Sequence, residues 1–381
     1  MSNSMPLVQK GMIVNMATSE FIKLLFACIV AFVITLVSTP IVKKLAFKWK
    51  AIDVPKDGRR MHKNPIPRLG GLAIIFGFAV SVVLFGIMTR EILAILCGAF
   101  IIAVMGIVDD IKSLDAKPKF FVQIIAALIV VLTGNMKISV ITNPNIFSDI
   151  PYLILPDWLS IIVSIVWIVF ITNAVNFIDG LDGLAAGVSA IMSVSLTFIA
   201  VRLGEYYVAV VSVALMGACF GFLPYNFNPA KIFMGDTGST FLGFILASLS
   251  INGVFKSYAI ISFAVPVLML GLPLFDASFA MIRRLLRGES PMKADRGHLH
   301  HRLIDMGFSQ KQSVFILYVI SGVLGLSAIV LAEAGTLRAV LLLLFILVIL
   351  LTSFLVFKVE HKTDDTKYIS EKDEEDAYEQ N

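Results

Sequence analysis

The sequence predicts an all-helical protein that crosses a membrane about eleven times. Of its 381 residues, 58% are apolar and only 15% are charged, against roughly 25% charged residues in soluble domains. A soluble fold of this length could not bury so much apolar surface and keep a wettable exterior. The apolar residues also fall into runs of about 20, which is the length that crosses a hydrocarbon core.

The apolar runs give the predicted spans. They are 20–42, 70–89, 91–108, 119–135, 158–175, 184–202, 206–223, 238–255, 259–282, 313–332 and 336–357. A basic cluster follows the first span, which favours a retained anchor over a cleaved signal sequence. The second span joins the third directly at Thr89 to Glu91, so these two spans are expected to form a tight helical hairpin.

The distribution of basic residues predicts the orientation, because cytoplasmic loops carry an excess of lysine and arginine. Of the 31 lysines and arginines, 24 lie in segments 43–68, 109–119 and 283–311, at Lys231, or after residue 357. We therefore expect the N-terminus outside and the C-terminus in the cytosol. Segment 136–156 then lies outside, where it is predicted to form a short β-hairpin.

The chain is expected to form one transmembrane catalytic domain, residues 1–358. The tail 359–381 is acidic and predicted to be disordered. The three cysteines lie singly in apolar runs, which favours packing over a disulfide or a zinc site. A net charge of +4 is too small and too dispersed to indicate nucleic-acid binding.

The first reactive group is the pair Asp109 and Asp110, at the cytosolic end of the third span. Two like charges 4 Å apart repel by about 4 kcal/mol at an effective dielectric near 20. The pair therefore needs a cation, a shared proton or full hydration. A hydrated helix end is the simpler alternative.

The second group ends the fifth span. Its members recur at every third residue: Asn173, Asn176, Asp179 and Asp182. In a helical or 3₁₀ turn this spacing makes one polar stripe that can face a ligand. A polar reverse turn is the alternative, although a turn needs only one such residue.

The third group precedes the eighth span, where Asp236 lies between Gly235 and Gly238. Asp236 is either a helix N-cap or a ligand of a hard cation, placed where a helix N-terminus attracts phosphate. Phe233 is a candidate for stacking on a base.

The fourth group is His298, His300, His301 and Arg302, in the longest cytosolic loop. Clustered cationic donors suit phosphate. Zinc is disfavoured because no cysteine lies nearby. A loop that touches anionic lipid headgroups is the alternative.

Asp276 lies inside the ninth predicted span. Acids inside the membrane indicate function, but a structural pair with Arg283 is an equal alternative. Taken together, the four groups offer carboxylates for Mg²⁺, cations for phosphate and an aromatic ring for a base, on a membrane scaffold. They indicate phosphoryl transfer between a nucleotide and a lipid.

These motifs resemble those of the polyprenyl-phosphate N-acetylhexosamine-1-phosphate transferases, in glycosyltransferase family 4. The matching residues are Asp109-Asp110, Asn173-x-x-Asn176-x-x-Asp179-Gly-x-Asp182-Gly, Pro-Ala-Lys-x-Phe-Met-Gly-Asp236-x-Gly-Ser and His298-x-His300-His301. The resemblance extends from about Val37 to Phe357.

The resemblance implies a role for each residue. Asp236 matches a Mg²⁺ ligand, with Mn²⁺ as the alternative ion, and the implied catalytic residues are Asp109, Asp110, Lys119 and Asp182. One of the Asp109–Asp110 pair would deprotonate the lipid phosphate. The implied substrate-binding residues are Lys63, Asn173, Asn176, Asp179, Asn226, Phe233, His298, His300, His301 and Arg302.

Leu299 interrupts the histidine run, as in the family branch that uses N-acetylglucosamine. The resemblance implies transfer of N-acetylglucosamine 1-phosphate from UDP-N-acetylglucosamine to undecaprenyl phosphate, with release of UMP, as the first membrane step of wall teichoic acid or a related glycan. A homodimer is left open. The alternatives are the phospho-N-acetylmuramoyl-pentapeptide transferase and an ion-coupled transporter, whose acids would lie near the bilayer midplane.

Overall fold

The computed structural model describes residues 18–54, 65–143, 152–253, 264–290 and 297–334. The helices in these residues are α1 (Thr18–Lys48), α2 (Gly71–Phe85), α3 (Arg90–Lys112), α4 (Ala116–Leu128), α5 (Asp157–Phe177), α6 (Leu184–Leu203), α7 (Tyr206–Asn226), α8 (Gly235–Gly253), α9 (Ala264–Met269), α10 (Gly271–Leu286), α11 (Leu299–Asp305) and α12 (Gln310–Ala334). A π-helical turn, Ile129–Thr133, extends α4. The strands are β1 (Ile52–Asp53), β2 (Ile66–Pro67), β3 (Val140–Thr142) and β4 (Tyr152–Ile154).

The helices confirm a polytopic membrane protein. Within the described ranges, seven are long and apolar enough to cross a membrane: α1, α3, α4 with its π-helical turn, α5, α6, α7 and α12. In hydrocarbon every backbone polar group must be satisfied internally, and a continuous helix achieves this. The total of eleven spans stays a prediction, because the predicted span 336–357 and the acidic tail lie outside the described residues.

The predicted span 259–282 is not one helix where the structure describes it. α9 ends at Met269 and α10 begins at Gly271. Pro273 has no N–H to donate to the carbonyl of Met269, which weakens a continuous helix at this point. The break separates α10, which carries Asp276, from the helix before it. α2 is also shorter than its predicted span, with 15 residues.

α8 is the central helix of the described fold. It packs against α3 and α5 most extensively, and also against α2, α6 and α7. Every residue from Thr237 to Asn252 is buried. A helix that is buried on all sides is placed by all its neighbours, so the start of α8 is a fixed point of the molecule.

Glycines bring α2 and α3 into backbone contact with the start of α8. A Cβ atom on Gly71 of α2 would lie 2.1 Å from the backbone nitrogen of Gly238. A Cβ atom on Gly106 of α3 would lie 2.4 Å from the Cα of Thr237. Small residues permit this close approach between membrane helices.

Two short antiparallel strand pairs complete the fold. β1 pairs with β2, with Ile52 opposite Pro67, and lies between α1 and α2. β3 pairs with β4, with Val140 opposite Ile154, in the predicted hairpin segment. The second pair follows the C-terminal end of α4. Lys119 is near the opposite end of that helix, which with its π-helical turn is about 27 Å long. The side of the membrane on which β3 and β4 lie stays a prediction.

Candidate active site

A cavity of about 720 Å³ opens where α1, α3, α5 and α7 end and α8 begins. Its lining includes five carboxylates, three basic side chains and two phenylalanines. These are Asp53, Asp110, Asp179, Asp182, Asp236, Lys43, Arg68, Lys231, Phe47 and Phe233. Asn226 and His301 also line it. The structure therefore gathers residues from all four predicted groups around one space.

Asp110 caps the start of α8. Its carboxylate accepts hydrogen bonds from the backbone N–H of Asp236 (3.0 Å), the backbone N–H of Thr237 (3.0 Å) and the Thr237 hydroxyl (2.6 Å). The N-cap alternative for Asp236 is therefore wrong, because a carboxylate from α3 does the capping. The Asp236 side chain is left to face the cavity.

Gly235 permits this arrangement. Its backbone is left-handed, with φ of 70°, and a Cβ atom there would lie 2.5 Å from Oδ2 of Asp110. Only glycine adopts this conformation without strain and also admits the carboxylate.

Lys119 bridges two carboxylates from different helices. Its Nζ lies 2.9 Å from Oδ2 of Asp109 and 2.9 Å from Oδ2 of Asp236. Asp109 also accepts the backbone N–H of Leu114 (2.6 Å). The neighbouring aspartates 109 and 110 therefore avoid mutual repulsion, because one faces Lys119 and the other faces the N-terminus of α8.

The predicted polar stripe divides in the structure. Asn176 donates to Oδ1 of Asp236 (3.3 Å) and to the hydroxyl of Ser239 (2.8 Å), so it holds the aspartate from the side opposite Lys119. Asn173 instead exchanges amide hydrogen bonds with Gln123 on α4. It joins two helices and does not line the cavity.

Asp182 and Asn226 hold the loops that form the cavity wall. Oδ2 of Asp182 accepts from the side chain of Asn228 (2.9 Å) and from the backbone N–H of Ala230 (3.0 Å). Asn226 accepts the N–H of Gly183 and donates to the carbonyl of Ile232. Both residues therefore tie the loop after α5 to the loop after α7.

The pKa of the Asp179 carboxyl reflects its burial and the negative charges gathered around this cavity. Burial, followed by the negative charges of Asp236, Asp110 and Asp182, raises the pKa of its carboxyl to about 8. A cation bound among these carboxylates would lower this pKa again, because an opposite charge favours the ionised form.

The described residues contain no group of three histidine, cysteine or acidic side chains that forms a ready metal site. Mg²⁺ does not require one, since it keeps several waters and binds through one or two carboxylates plus substrate phosphates. Asp236 in a carboxylate-rich cavity fits that mode of binding.

The loop that carries the predicted histidine group contacts α10. Asp276 contacts His298, with 2.9 Å between Oδ2 and Nδ1, and accepts the backbone N–H of Leu299. The structural alternative that paired Asp276 with Arg283 is therefore replaced by a pair with His298. Arg283 donates to the carbonyl of Gly297.

Of the remaining predicted residues, His298 and His300 are buried behind His301, which lines the cavity. The Arg302 guanidinium lies over the ring of Phe279, 5.1 Å from its centroid. Lys63 lies outside the described residues.

Sequence reasoning missed Lys43, Arg68 and Asn228 in the cavity wall. Arg68 was visible as one of the predicted cytosolic cations, but its bond to the Asp110 carbonyl (3.1 Å) was not.

Comparison with known proteins identifies similar sequences. The profile of glycosyl transferase family 4 matches residues 92–254. Over 338 residues the chain is 42% identical to a probable undecaprenyl-phosphate N-acetylglucosaminyl 1-phosphate transferase of Bacillus subtilis, covering 88% of this chain and 92% of that protein.

Two further relatives are more distant. A decaprenyl-phosphate N-acetylglucosaminephosphotransferase of Mycolicibacterium smegmatis is 34% identical, over 78% of this chain and 79% of that protein. A phospho-N-acetylmuramoyl-pentapeptide-transferase of Staphylococcus aureus is 31% identical, over 80% of this chain and 98% of that protein.

Proposed function

Because the chain belongs to glycosyl transferase family 4, we propose that it transfers N-acetylglucosamine 1-phosphate from UDP-N-acetylglucosamine to undecaprenyl phosphate, releasing UMP. The resemblance found in the sequence is confirmed by the relatives. The relative at 42% identity is named a probable undecaprenyl-phosphate N-acetylglucosaminyl 1-phosphate transferase, whereas the muramoyl-pentapeptide relative is 31% identical. The cellular role is the first membrane step of wall teichoic acid or a related envelope glycan.

The single observation that supports this most strongly is the cavity at the start of α8. It combines Asp236, the carboxylate Asp110 and the basic residues Lys43, Arg68 and Lys231 with Phe233. The cations can bind phosphate oxygens, and the ring can stack on a base. Together with the family match, such a lining suits a nucleoside diphosphate sugar that meets a lipid phosphate at one end of the membrane helices.

Mg²⁺, or Mn²⁺ in its place, would be held by Asp236 and would neutralise charge on the donor diphosphate. Neighbouring side chains orient the Asp236 carboxylate for this role. Lys119 and Asn176 hold the two oxygens of Asp236 from opposite sides, and Asp110 fixes the helix start beneath it.

The proposed chemistry is a displacement at the sugar-bearing phosphorus. An oxygen of the lipid phosphate forms the new P–O bond, the bond from that phosphorus to the bridging oxygen breaks, and UMP leaves. One of Asp109 and Asp110 accepts any proton on the attacking phosphate. Lys119, which contacts Asp109 and Asp236, places a positive charge where negative charge accumulates.

The test is direct transfer by purified protein. We would supply sugar-labelled UDP-N-acetylglucosamine, undecaprenyl phosphate and MgCl₂, and identify the lipid product and UMP. Formation of an undecaprenyl diphosphate N-acetylglucosamine supports the proposal. Absence of lipid product with an active preparation of the Bacillus subtilis relative run in parallel contradicts it. Omission of the divalent cation tests the metal separately.

A further inference from the structure

Asp276 makes two contacts to the loop that carries the histidines, one buried and one partly buried, with residues 22 and 23 positions further along the chain. One oxygen lies 2.9 Å from Nδ1 of His298, and the other accepts the backbone N–H of Leu299 at 2.8 Å. The side chains of Asp276 and His298 are 5% and 8% exposed. Leu299 is the first residue of α11, and its N-cap residue makes no side-chain capping bond. Asp276 therefore supplies from α10 the cap that α11 lacks.

The rings beyond this contact form a continuous series of ring contacts, which we call the histidine stack. The His298 ring contacts Phe177, at the end of α5, and His300, with centroid distances of 5.9 and 5.8 Å. The planes of His298 and His300 differ by only 9°. His300 contacts His301 at 4.3 Å, and His301 lines the cavity. The stack therefore leads from Asp276 to the proposed substrate position.

The stack also packs against the carboxylate loop. A Cβ atom on Gly180 would lie 2.2 Å from Nε2 of His300, so this ring lies directly on the backbone next to Asp179. A displaced stack would therefore disturb two walls of the cavity, the one that carries His301 and the one that carries Asp179.

We infer that Asp276 is a positioning residue for the transfer reaction: it fixes the proton of His298 on Nδ1 and holds the histidine stack that presents His301 to the donor. The inference rests on the proposed function. A carboxylate accepts hydrogen bonds and does not donate them, so Nδ1 must carry the proton at this contact. The partner of one ring nitrogen sets the tautomer of the ring. No part of Asp276 lines the cavity, so it acts through the stack.

Asp276→Asn separates this role from a purely structural one. An asparagine has the same shape, and its carbonyl oxygen can keep the bond from Leu299. Its amide then faces Nδ1 as a donor, which requires His298 to move its proton to Nε2. In the serine proteases, the analogous Asp→Asn change in the Ser-His-Asp triad leaves the geometry intact but gives the wrong histidine tautomer.

The kinetic experiment measures kcat and the KM for UDP-N-acetylglucosamine in the wild type, Asp276→Asn and the control Asp305→Asn. Asp305 is exposed at the other end of α11. We expect the KM of Asp276→Asn to rise roughly tenfold with kcat changed less than about threefold, because losing a group that binds the donor equally in the ground and transition states raises KM and leaves kcat unchanged. The control should match the wild type. An unchanged KM in Asp276→Asn overturns the inference.

The spectroscopic experiment needs no activity, and the wild type alone can overturn the inference. The chain has five histidines, so ¹⁵N-histidine NMR of the full protein in nanodiscs at pH 8 can resolve His298. A proton on Nδ1 in the wild type, lost in Asp276→Asn, supports the inference, and a bare Nδ1 in the wild type overturns it. If the wild type transfers no sugar, the proposed function fails, whereas the NMR result still decides whether Asp276 positions the ring.

Discussion

Asp236 is the side chain on which the site geometry converges. Lys119 lies 2.9 Å from one of its oxygens, and Asn176 lies 3.3 Å from the other. Its backbone N–H is bonded to Asp110. These contacts orient the carboxylate before any ligand arrives, which reduces the cost of assembling the site during the reaction.

Asp236→Asn should reduce turnover at least a hundredfold while leaving expression and folding intact. The amide loses the negative charge that binds a cation and pairs with Lys119, but it keeps the shape of the side chain. Asp115→Asn is the matched control, because Asp115 is exposed and makes no side-chain capping bond at the start of α4. A variant that keeps a tenth of the wild-type rate at saturating Mg²⁺ would exclude a metal-binding role for Asp236.

His300 gives the protein a pH dependence of stability. Burial, with a further contribution from His301, lowers the pKa of its imidazole to about 4. Between pH 6.5 and 4 the unfolded chain binds a proton at this imidazole that the folded chain does not. The free energy of unfolding therefore decreases as the pH falls below 6.5. From pH 7.5 to 5.5 the wild type should lose about 1 kcal/mol more stability than His300→Gln. Equal losses in denaturant titrations of both proteins would contradict the burial argument.

At the residue scale, sequence reasoning predicted many of the side chains that the structure gathers around the cavity, but not how they pair. Asp109, Asp110 and Asp236 were found because charges are costly at the ends of apolar runs. The division between Asn176, which holds Asp236, and Asn173, which binds Gln123, was not visible, because it depends on how α5 faces α4 and α8. The pair of Asp276 with His298 was missed because it depends on how α10 faces the start of α11.

At the scale of the helices, the start of α8 is placed by backbone contacts with α2 and α3. Gly71, Gly106 and Gly238 remove the side chains that would separate them. The N–H of Gly71 also bonds to the carbonyl of Met234 (2.8 Å), just before α8 begins. This contact fixes the start of α8, which carries Asp236, against α2.

Gly71→Ala should destabilise the protein by about 1–3 kcal/mol, because the added methyl meets backbone atoms that can move only together. Transfer activity should fall with it. Gly322→Ala on α12 is the control, since nothing lies within 4 Å of a Cβ atom there, and alanine should be neutral or stabilise the helix by up to about 1 kcal/mol. If unfolding titrations show Gly71→Ala to be as stable as Gly322→Ala, the close packing of α2 on α8 is wrong.

Hydropathy predicted the long helices well and the interrupted ones poorly. α5, α6 and α7 lie within about two residues of their predicted spans at each N-terminal end. The division of the ninth span at Leu270 was missed because an apolar window does not register the backbone effect of Pro273.

At the scale of the whole molecule, the cavity and the strand pair of β3 and β4 are associated with opposite ends of α4. The orientation predicted from basic residues places the cavity in the cytosol, where a nucleotide donor is available. The contacts within the fold are the same in either orientation across the membrane, so the orientation must be tested separately.

The orientation can be tested by cysteine labelling in a background that lacks Cys28, Cys97 and Cys219. Ile154→Cys, at a position that is 74% exposed on β4, should react with an impermeant thiol reagent on intact cells. Ser290→Cys, after α10, should react only once the membrane is permeabilised. The reverse pattern would place the cavity outside the cell and exclude a cytosolic donor.

The most direct test of the proposed substrate is competition between two donors. Purified protein with undecaprenyl phosphate and Mg²⁺ would receive UDP-N-acetylglucosamine and UDP-N-acetylmuramoyl-pentapeptide at equal concentrations, and the lipid products would be quantified. A site not built for the peptide leaves polar groups unpaired, at about 1–3 kcal/mol each. Two such losses predict at least a hundredfold preference for N-acetylglucosamine, at about 1.4 kcal/mol per decade. Comparable transfer of both sugars, or preference for the peptide donor, would contradict the proposed substrate.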